Sequence, residues 1–314
     1  MNILITAIGS MSAECVISAL IKQGHQIIGC DIYPSEWHYV SRLCNKVYQI
    51  PLATENQAYI NALTTICLEQ QIHALIPLTD IEIDILNKWR THFINLNILL
   101  CIQSEYTLSI ARNKYQLHHF FLEDKNVPSI PTYKASEIYS AEIPLPCIAK
   151  PYNGRSSEGL MLLSTKEELS AVQFKENYII QKFIKGAIYT VDYIRCQRTS
   201  EDFAIPRQEL LRTKNGAGLT IQLSNNSILK ELVSYIGNRL EINGCINMEF
   251  LYANEQFYLI DINPRFSAGI AFSYLASYDM INSHLNCFIN KDIMPKIRYQ
   301  ETLMTKKYKE EILI

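Results

Sequence analysis

No charge of either sign dominates the chain: 29 Lys plus Arg stand against 31 Asp plus Glu, a formal net charge of -2 over 314 residues. Without a positive excess there is no bulk attraction for a polyanion, so no nucleic-acid partner is expected, although local patches can still hold small anions. No apolar run approaches the ~20 residues that span a bilayer. No leader with a basic start, apolar core and cleavage site is seen, so neither a membrane partner nor export is expected and the location should be cytoplasmic. Repeats and low-complexity tracts are missing too. Gly and Pro number only 11 each, against 48% hydrophobic residues, which excludes collagenous, coiled-coil and disordered chains and leaves a large core in two or three domains. The nine cysteines form no CxxC pair and leave an odd total. Most of them, including Cys44, Cys67, Cys101, Cys147, Cys245 and Cys287, lie in apolar or helical text and read as buried thiols.

What is present begins as strand, turn, helix, strand. NILITAI (2–8) is a short apolar strand, a helical pattern runs through Ala13, Val16, Ile17, Leu20 and Ile21 to Gly24, and HQIIGCDIYP (25–34) is a second strand. A helix at about 55–71 leads to HALIPLTD and then to the strand NILLCI (97–102), so the first hundred residues read as a doubly wound α/β domain. Helical text at 104–124 and the proline-punctuated VPSIPTY (127–133) follow. Residues 125–185 read as a small α+β lobe, with a strand, a glycine- and serine-rich loop, a second strand, a helix at about 165–174 and the strand YIIQKFIKG. The lysine-rich stretch 306–309 reads as a solvated helix or tail.

Gly9, Ser10, Met11 and Ser12 stand at the strand-to-helix turn where dinucleotide enzymes carry three glycines, but only one glycine is present. The turn therefore reads as a helix N-terminus, with substrate contact by Ser10, Ser12 or Asp80, or a ribose held by Asp31, as the sharper alternatives. His25, His38, His73, His118, His119 and His284 do not fall at metal-ligand spacing with cysteines.

The most informative geometry is a hairpin. CINMEFL (245–251) and FYLIDINP (257–264) flank ANEQ, and centring the hairpin on Glu255 places Glu249 opposite Asp261. Alternation puts Asp261 and Asn263 on one face and Met248, Phe250, Ile260 and Ile262 on the other. Two carboxylates directly opposed are costly without a cation, and with an amide oxygen they suit Mg²⁺ better than Zn²⁺. A solvated acidic sheet face is the plain alternative. Arg265 at the strand exit favours a metal and phosphate site, where it would contact transferring oxygens. Lys150 ends an apolar strand, where a charge needs an anionic partner. Gly154, Ser156, Ser157 and Gly159 just after it allow backbone amides to bend over phosphates. Arg207, Arg212 and Lys214 form a further cationic group that would grip a carboxylate or an acyl phosphate, or simply line a solvated loop.

In order and spacing, ITAIGS, ALIPLTD, ARNKYQLHHFF, CIAKPYNGRSSEGL, YIIQKFIKGAIYTVDYI, NMEF and LIDINPRFSAG together resemble the ATP-grasp superfamily, in particular the carbamoyl-phosphate-synthase-like carboxylate–amine ligases. The resemblance implies a Rossmann-like pre-ATP-grasp domain (1–103), a linking helix (104–124), a small α+β lid (125–185) and a larger α+β catalytic lobe (186–314). It implies that Lys114 and Lys150 contact nucleotide phosphates with Ser156 and Ser157, and that adenine lies beside Gln181, Lys182, Phe183 and Ile184. Glu249, Asp261 and Asn263 would hold Mg²⁺, with Mn²⁺ as an alternative, while Arg265, Lys150 and Arg207 serve catalysis. Gln181-Lys182 and Gly186-Ala187-Ile188 stand where the family reads Gln-Glu and Gly-x-Glu, so the usual ribose-binding carboxylate is missing at Ile188. The implied reaction joins a small-molecule carboxylate to an amine through an acyl phosphate, releasing ADP and phosphate. The alternative is a degenerate relative that binds a nucleotide or metabolite without ligation. A homodimer through the leading domain is compatible with either.

Overall fold

The structure, a computed structural model, describes residues 1–138, 143–154, 158–172 and 174–312. Its first sheet is formed by β1 (Asn2–Thr6), β2 (Gln26–Asp31), β3 (Lys46–Gln49), β4 (Ala74–Ile76) and β5 (Leu99–Leu100) in the order β3-β2-β1-β4-β5. Every pairing in it is parallel. Helices α1 (Ala13–Lys22), α2 (Asn56–Glu69), α3 (Asp80–Lys88) and α4 (Arg90–Asn95) connect the strands. Ala13, Val16, Ile17 and Leu20 form one buried stripe of α1, since residues three and four apart share a helix face. Burying each such aliphatic side chain is worth ~1.5–3 kcal/mol. The strand order reverses between β1 and β4, the position where open parallel sheets collect ligands at their carboxyl ends. Gly9–Ser12 and Asp80 lie just beyond those two strand ends.

Helices α5 (Glu105–Ala111) and α6 (Lys114–Phe121) follow, interrupted where the Asn113 side chain caps α6 by accepting from the Tyr115 and Gln116 amides. A second sheet, antiparallel and ordered β6-β9-β7-β8, contains β6 (Thr132–Lys134), β7 (Cys147–Pro151), β8 (Met161–Leu163) and β9 (Tyr178–Lys182), with α7 (Lys166–Ala171) between the last two.

The third sheet has the order β14-β13-β10-β11-β12-β15 and antiparallel pairing throughout. Its strands are β10 (Ala187–Arg195), β11 (Asp202–Arg212), β12 (Gly218–Leu223), β13 (Gly244–Ala253), β14 (Gln256–Asn263) and β15 (Leu303–Thr305). Helices α8 (Ser227–Arg239), α9 (Ile270–Leu275) and α10 (Met280–Phe288) complete the lobe. Val191, Tyr193, Ile246, Met248 and Phe250 are buried in one cluster with Leu229, Val233 and Ile236 of α8, which covers this face of the sheet. Of the lysine-rich stretch, residues 307–309 are exposed and outside any helix or strand, a solvated tail, whereas Lys306 continues the edge strand β15 by bonding Leu219 O through its amide and Ala268 O through its ammonium. No helix among the described residues is long and apolar enough to cross a membrane. The nine cysteines are all free thiols.

Candidate functional site

The hairpin β13–β14 turns on Asn254 and Glu255, both at positive φ (50° and 61°), with Ala253 paired to Gln256. A two-residue turn of this kind, continued regularly, sets Glu249 opposite Ile260. Instead a bulge opens between the Glu249 and Phe250 pairings, so Phe250 faces Leu259 while Glu249 faces Asp261 and Asn247 faces Asn263. The extra residue inverts the faces beyond it. Phe257, Leu259 and Ile262 enter the core, whereas Ile260 and Asp261 line the cleft. Asp261 therefore lands opposite Glu249 as expected, but Ile260 is a cleft residue and not a core residue: the turn is one residue tighter than a centre at Glu255 requires, and the bulge restores the count.

Between the small sheet and this hairpin lies a cavity of about 360 Å³, lined by Lys114, Lys150, Glu249 and Asp261. Lys114 Nζ sits 3.0 Å from Asp261 Oδ2 and donates to Gly154 O at 2.9 Å. Arg212 Nη2 lies 3.0 Å from Glu249 Oε2. Burial first, and then the neighbouring Lys114, push the Lys150 ammonium down to about 8 despite the pull of Asp261 and Glu249. Burial and the facing Asp261 also hold the Glu249 carboxyl above its ordinary range, against the opposing pull of Arg212. Two opposed carboxyl groups under mutual repulsion, with the Asn263 amide oxygen on the same strand, make a donor set that fits a hard divalent cation.

Gln181, Lys182, Phe183 and Ile184, where β9 runs into the connection to β10, line the other end of this cavity. Gln181 is anchored by its Nε2 on Thr132 Oγ1 at 2.7 Å. Ile188, Leu251 and Ile260 make that end apolar.

A second cavity of about 490 Å³ shares Arg212, Glu249 and Asp261 with the first and extends to Asn263, Arg265 and Arg207. Arg265 is held by Asp80: its Nε donates to Asp80 Oδ2 at 3.0 Å and Nη2 lies 2.9 Å away, while Nη2 also donates to Asn263 Oδ1 at 3.2 Å. Burial would raise the Asp80 carboxyl, but Arg265 and then Arg112 and Lys114 hold it below its ordinary range. Arg207 is buried at 2% side-chain exposure; its Nη1 donates to Asp192 Oδ2 at 2.7 Å, Nε to Glu209 Oε1 at 3.2 Å and Nη2 to Ser267 Oγ at 3.1 Å. Asp192 also accepts from Ser273 Oγ at 2.6 Å.

The fold thus gathers Lys114, Lys150, Gln181, Lys182, Phe183, Ile184, Glu249 and Asp261 on one cavity, and Arg207, Asn263 and Arg265 on its neighbour. Ser156 and Ser157 lie outside the described residues. Asp80 does not line either cavity; it is buried under Arg265 and Arg112 and positions the former. Ser10 and Ser12 face each other at 3.3 Å, and from that turn it is Met11 that reaches the second cavity. Asp31 accepts from the Gly9 and Tyr33 amides at 2.9 and 3.1 Å and so braces the turn. Lys214 is exposed and apart from both cavities, so the cationic group reduces to Arg207 and Arg212. Sequence reasoning passed over Asp192, Asn247 and Glu209. The alternation of β10, β11 and β13 places such residues on a sheet face, but only the antiparallel registers Asp192 to Ile205 and Asp192 to Asn247 show that those faces converge.

The model of the PylC-like N-terminal domain matches residues 3–101, and that of the ATP-grasp domain residues 111–269. Among curated proteins, the carbamoyl phosphate synthase large chain of Clostridium acetobutylicum is 27% identical over 171 residues, 48% of this chain and 16% of that one. The D-alanine–D-alanine ligase of Buchnera aphidicola subsp. Schizaphis graminum is 24% identical over 195 residues, 57% of this chain and 58% of that one. The chain therefore spans less than two thirds of either relative. Of solved structures, the biotin carboxylase domain of Hydrogenobacter thermophilus 2-oxoglutarate carboxylase superposes with TM-score 0.77 at 16% identity, covering 95% of this chain and 71% of that one. N5-carboxyaminoimidazole synthetase of Staphylococcus aureus, complexed with ADP, does so with TM-score 0.73 at 14% identity, covering 97% and 79%. Likenesses at this identity show the shared architecture alone. Because the ATP-grasp model takes in the lysines, the small sheet, the carboxylate hairpin and Arg265, about half of the chain, the chain belongs to the ATP-grasp family.

Proposed function

We propose that the protein is an ATP-dependent carboxylate–amine ligase. The observation that carries this reading is the convergence of Lys114, Lys150, Glu249 and Asp261 on a cavity that opens, across a shared wall, onto one lined by Arg207, Arg212 and Arg265. The first cavity takes ATP, with its base beside Gln181–Ile184 and its phosphates at Lys114 and Lys150. The second takes the acid. A substrate carboxylate oxygen bonds to the γ-phosphorus as the bond to the β-bridging oxygen breaks, and ADP leaves. The amine nitrogen then bonds to the acyl carbon, the carbon–oxygen bond to phosphate breaks, and the amine gives up a proton.

Positioning and charge neutralisation do most of this work. Lys150 and Lys114 hold phosphoryl oxygens, Arg265, oriented by Asp80, meets charge developing on the transferred group, and Arg207 steadies the acid end. Glu249, Asp261 and Asn263 would hold Mg²⁺, or Mn²⁺ in its place, which when bound supplies charge stabilisation to the phosphates. In this reading residues 1–103 form the pre-ATP-grasp domain, 104–124 the link, 125–185 a lid that excludes water, and 186–314 the catalytic lobe. Partners are a small-molecule acid and amine in the cytoplasm, with a homodimer through the leading domain.

The apolar Ile188, which offers ribose hydroxyls no acceptor, favours a second reading: nucleotide binding without ligation. Calorimetric titration with Mg·ATP tests the assignment. Measurable Mg-dependent affinity, weakened at least tenfold by Asp261→Ala and by Lys150→Ala, is expected. Absence of binding, or binding indifferent to both changes in folded protein, would remove it. Binding without ADP release on any acid and amine pair would leave the second reading.

A further inference from the structure

Charge in the first cavity is gathered at one end of its floor. Glu249 and Asp261 stand there, matched by Arg212 and Lys114 at 3.0 Å each. Two residues further along β13, on the same face and ~7 Å away, comes Leu251, and the antiparallel register sets Ile188 of β10 directly opposite it. Ile260, brought into the cleft by the bulge, joins them, so Ile188, Leu251 and Ile260 line the stretch of floor next to the carboxylates. Thr190, two residues beyond Ile188 on β10, pairs with Glu249 and lines the second cavity, so its hydroxyl does not serve this stretch.

Apart from Lys150, which feels both carboxylates from the charged end, the remaining polar side chains lie off this floor. Gln181 is buried and fastened to Thr132 at 2.7 Å. Glu158, Lys182 and Lys185 line the cavity but are exposed, where a hydrogen bond to a ligand replaces one to water and gains little. Among the described residues, the floor therefore offers a ligand's hydroxyl no side-chain acceptor, and a hydroxyl pressed onto it gives up water without a replacement.

We infer that this cavity binds a nucleotide without reading its ribose hydroxyls, so that 2′-deoxy and 2′,3′-dideoxy nucleoside triphosphates are ligands as good as ATP. With the base beside Gln181–Ile184 and the phosphates at Lys114 and Lys150, the sugar lies over Ile188, Leu251 and Ile260. A carboxylate accepting from a ribose hydroxyl there would be worth roughly ten- to a hundredfold in affinity, and the apolar floor forgoes that margin. Ile188 is thus a specificity residue, and what it sets is tolerance. The inference rests on the placing of a nucleotide in this cavity, which ligation and binding without ligation have in common.

Calorimetry in the presence of Mg²⁺ compares ATP with 2′-deoxy-ATP, 3′-deoxy-ATP and 2′,3′-dideoxy-ATP. Each deoxy form is expected to bind the native protein no more than threefold more weakly than ATP, or more tightly, since losing a hydroxyl removes a desolvation cost. Ile188→Glu puts an acceptor on the floor and should turn this into a preference for ATP over the dideoxy form of fivefold or more. Ile188→Gln supplies a neutral acceptor, should shift the order the same way by a smaller factor, and decides the matter if Ile188→Glu does not fold. A native preference for ATP beyond threefold would overturn the inference and leave the nucleotide site standing. Equal binding of all four by the folded variants would remove Ile188 from the role assigned to it. Absence of binding by all four to the native protein would overturn the inference together with the placing of the nucleotide.

Discussion

Lys150 shows how a residue can be read correctly in kind and still be altered by its neighbours. A lysine at the end of an apolar strand announces an anionic partner. The strand text does not say that Lys114 shares the cavity and that, with burial, it brings Lys150 down to about 8. The sign follows directly. Below pH 8 the group is charged in both the folded and unfolded chain, and folding bears the cost of burying that charge; raising the pH from about 8 towards the unfolded value of ~10.4 relieves it. Phosphate binding runs the other way, because it needs the charged form. Affinity for Mg·ATP should therefore fall as the pH rises through about 8, and Lys150→Arg should remove that fall, since a guanidinium stays protonated. Titrations at pH 7, 8 and 9 with both proteins check this; a pH-independent affinity in the native protein would contradict it.

At the scale of elements, the hairpin was the most legible part of the site. NMEF and LIDIN carry the carboxylates in plain text, and their facing arrangement follows from any turn that centres the pair. The bulge was not legible, because a bulge is decided by the competition between the turn at Asn254-Glu255 and the packing of Leu259 and Ile262, not by a local residue preference. It predicts an asymmetry between two one-residue changes. Deleting Ile260 should convert β14 into a regular strand with Asp261 still opposite Glu249, so a folded protein with a modest loss of stability is expected. Inserting one alanine after Ile260 should instead turn Asp261 and Asn263 into the core and Ile262 out of it. Burying an uncompensated carboxylate costs several kcal/mol, and the melting temperature should drop by ~10 °C or more, if the chain folds at all. Comparable thermal unfolding curves for the two variants would contradict this account.

Across the whole molecule, the order of strands and helices in the leading domain could be followed from its apolar runs, and so could the strands of the small lobe and the hairpin, but the strand order of the two later sheets could not. What no local pattern reveals is a contact between residues 185 positions apart, as between Asp80 and Arg265. Asp80 sits at the N-terminus of α3, beyond β4, and its ion pairs with Arg265 and Arg112 tie the parallel sheet to the lobe built on the third sheet. Asp80→Asn leaves Arg265 without its carboxylate, while Arg112 keeps its bidentate pair with Asp84 at 2.8 Å, and should cost ~3 kcal/mol at pH 7 in chemical denaturation. Since the folded carboxyl is held below its ordinary range, this contribution is complete above the unfolded value of ~3.9 and is lost as the pH falls through the folded one. The gap between native and Asp80→Asn stabilities should therefore close in acid; a constant gap would assign the loss to packing instead.

The two cavities have a wall in common, made of Arg212, Glu249 and Asp261. A charge placed on one side of that partition changes the field on the other, over a distance too short for solvent to screen it. On the proposed reading, with ATP in one chamber and the acid in the other, occupancy of either alters the affinity of its neighbour, and thermodynamic reciprocity makes the two alterations equal. A substitution at any of these three side chains would then change recognition on both sides of the partition at once.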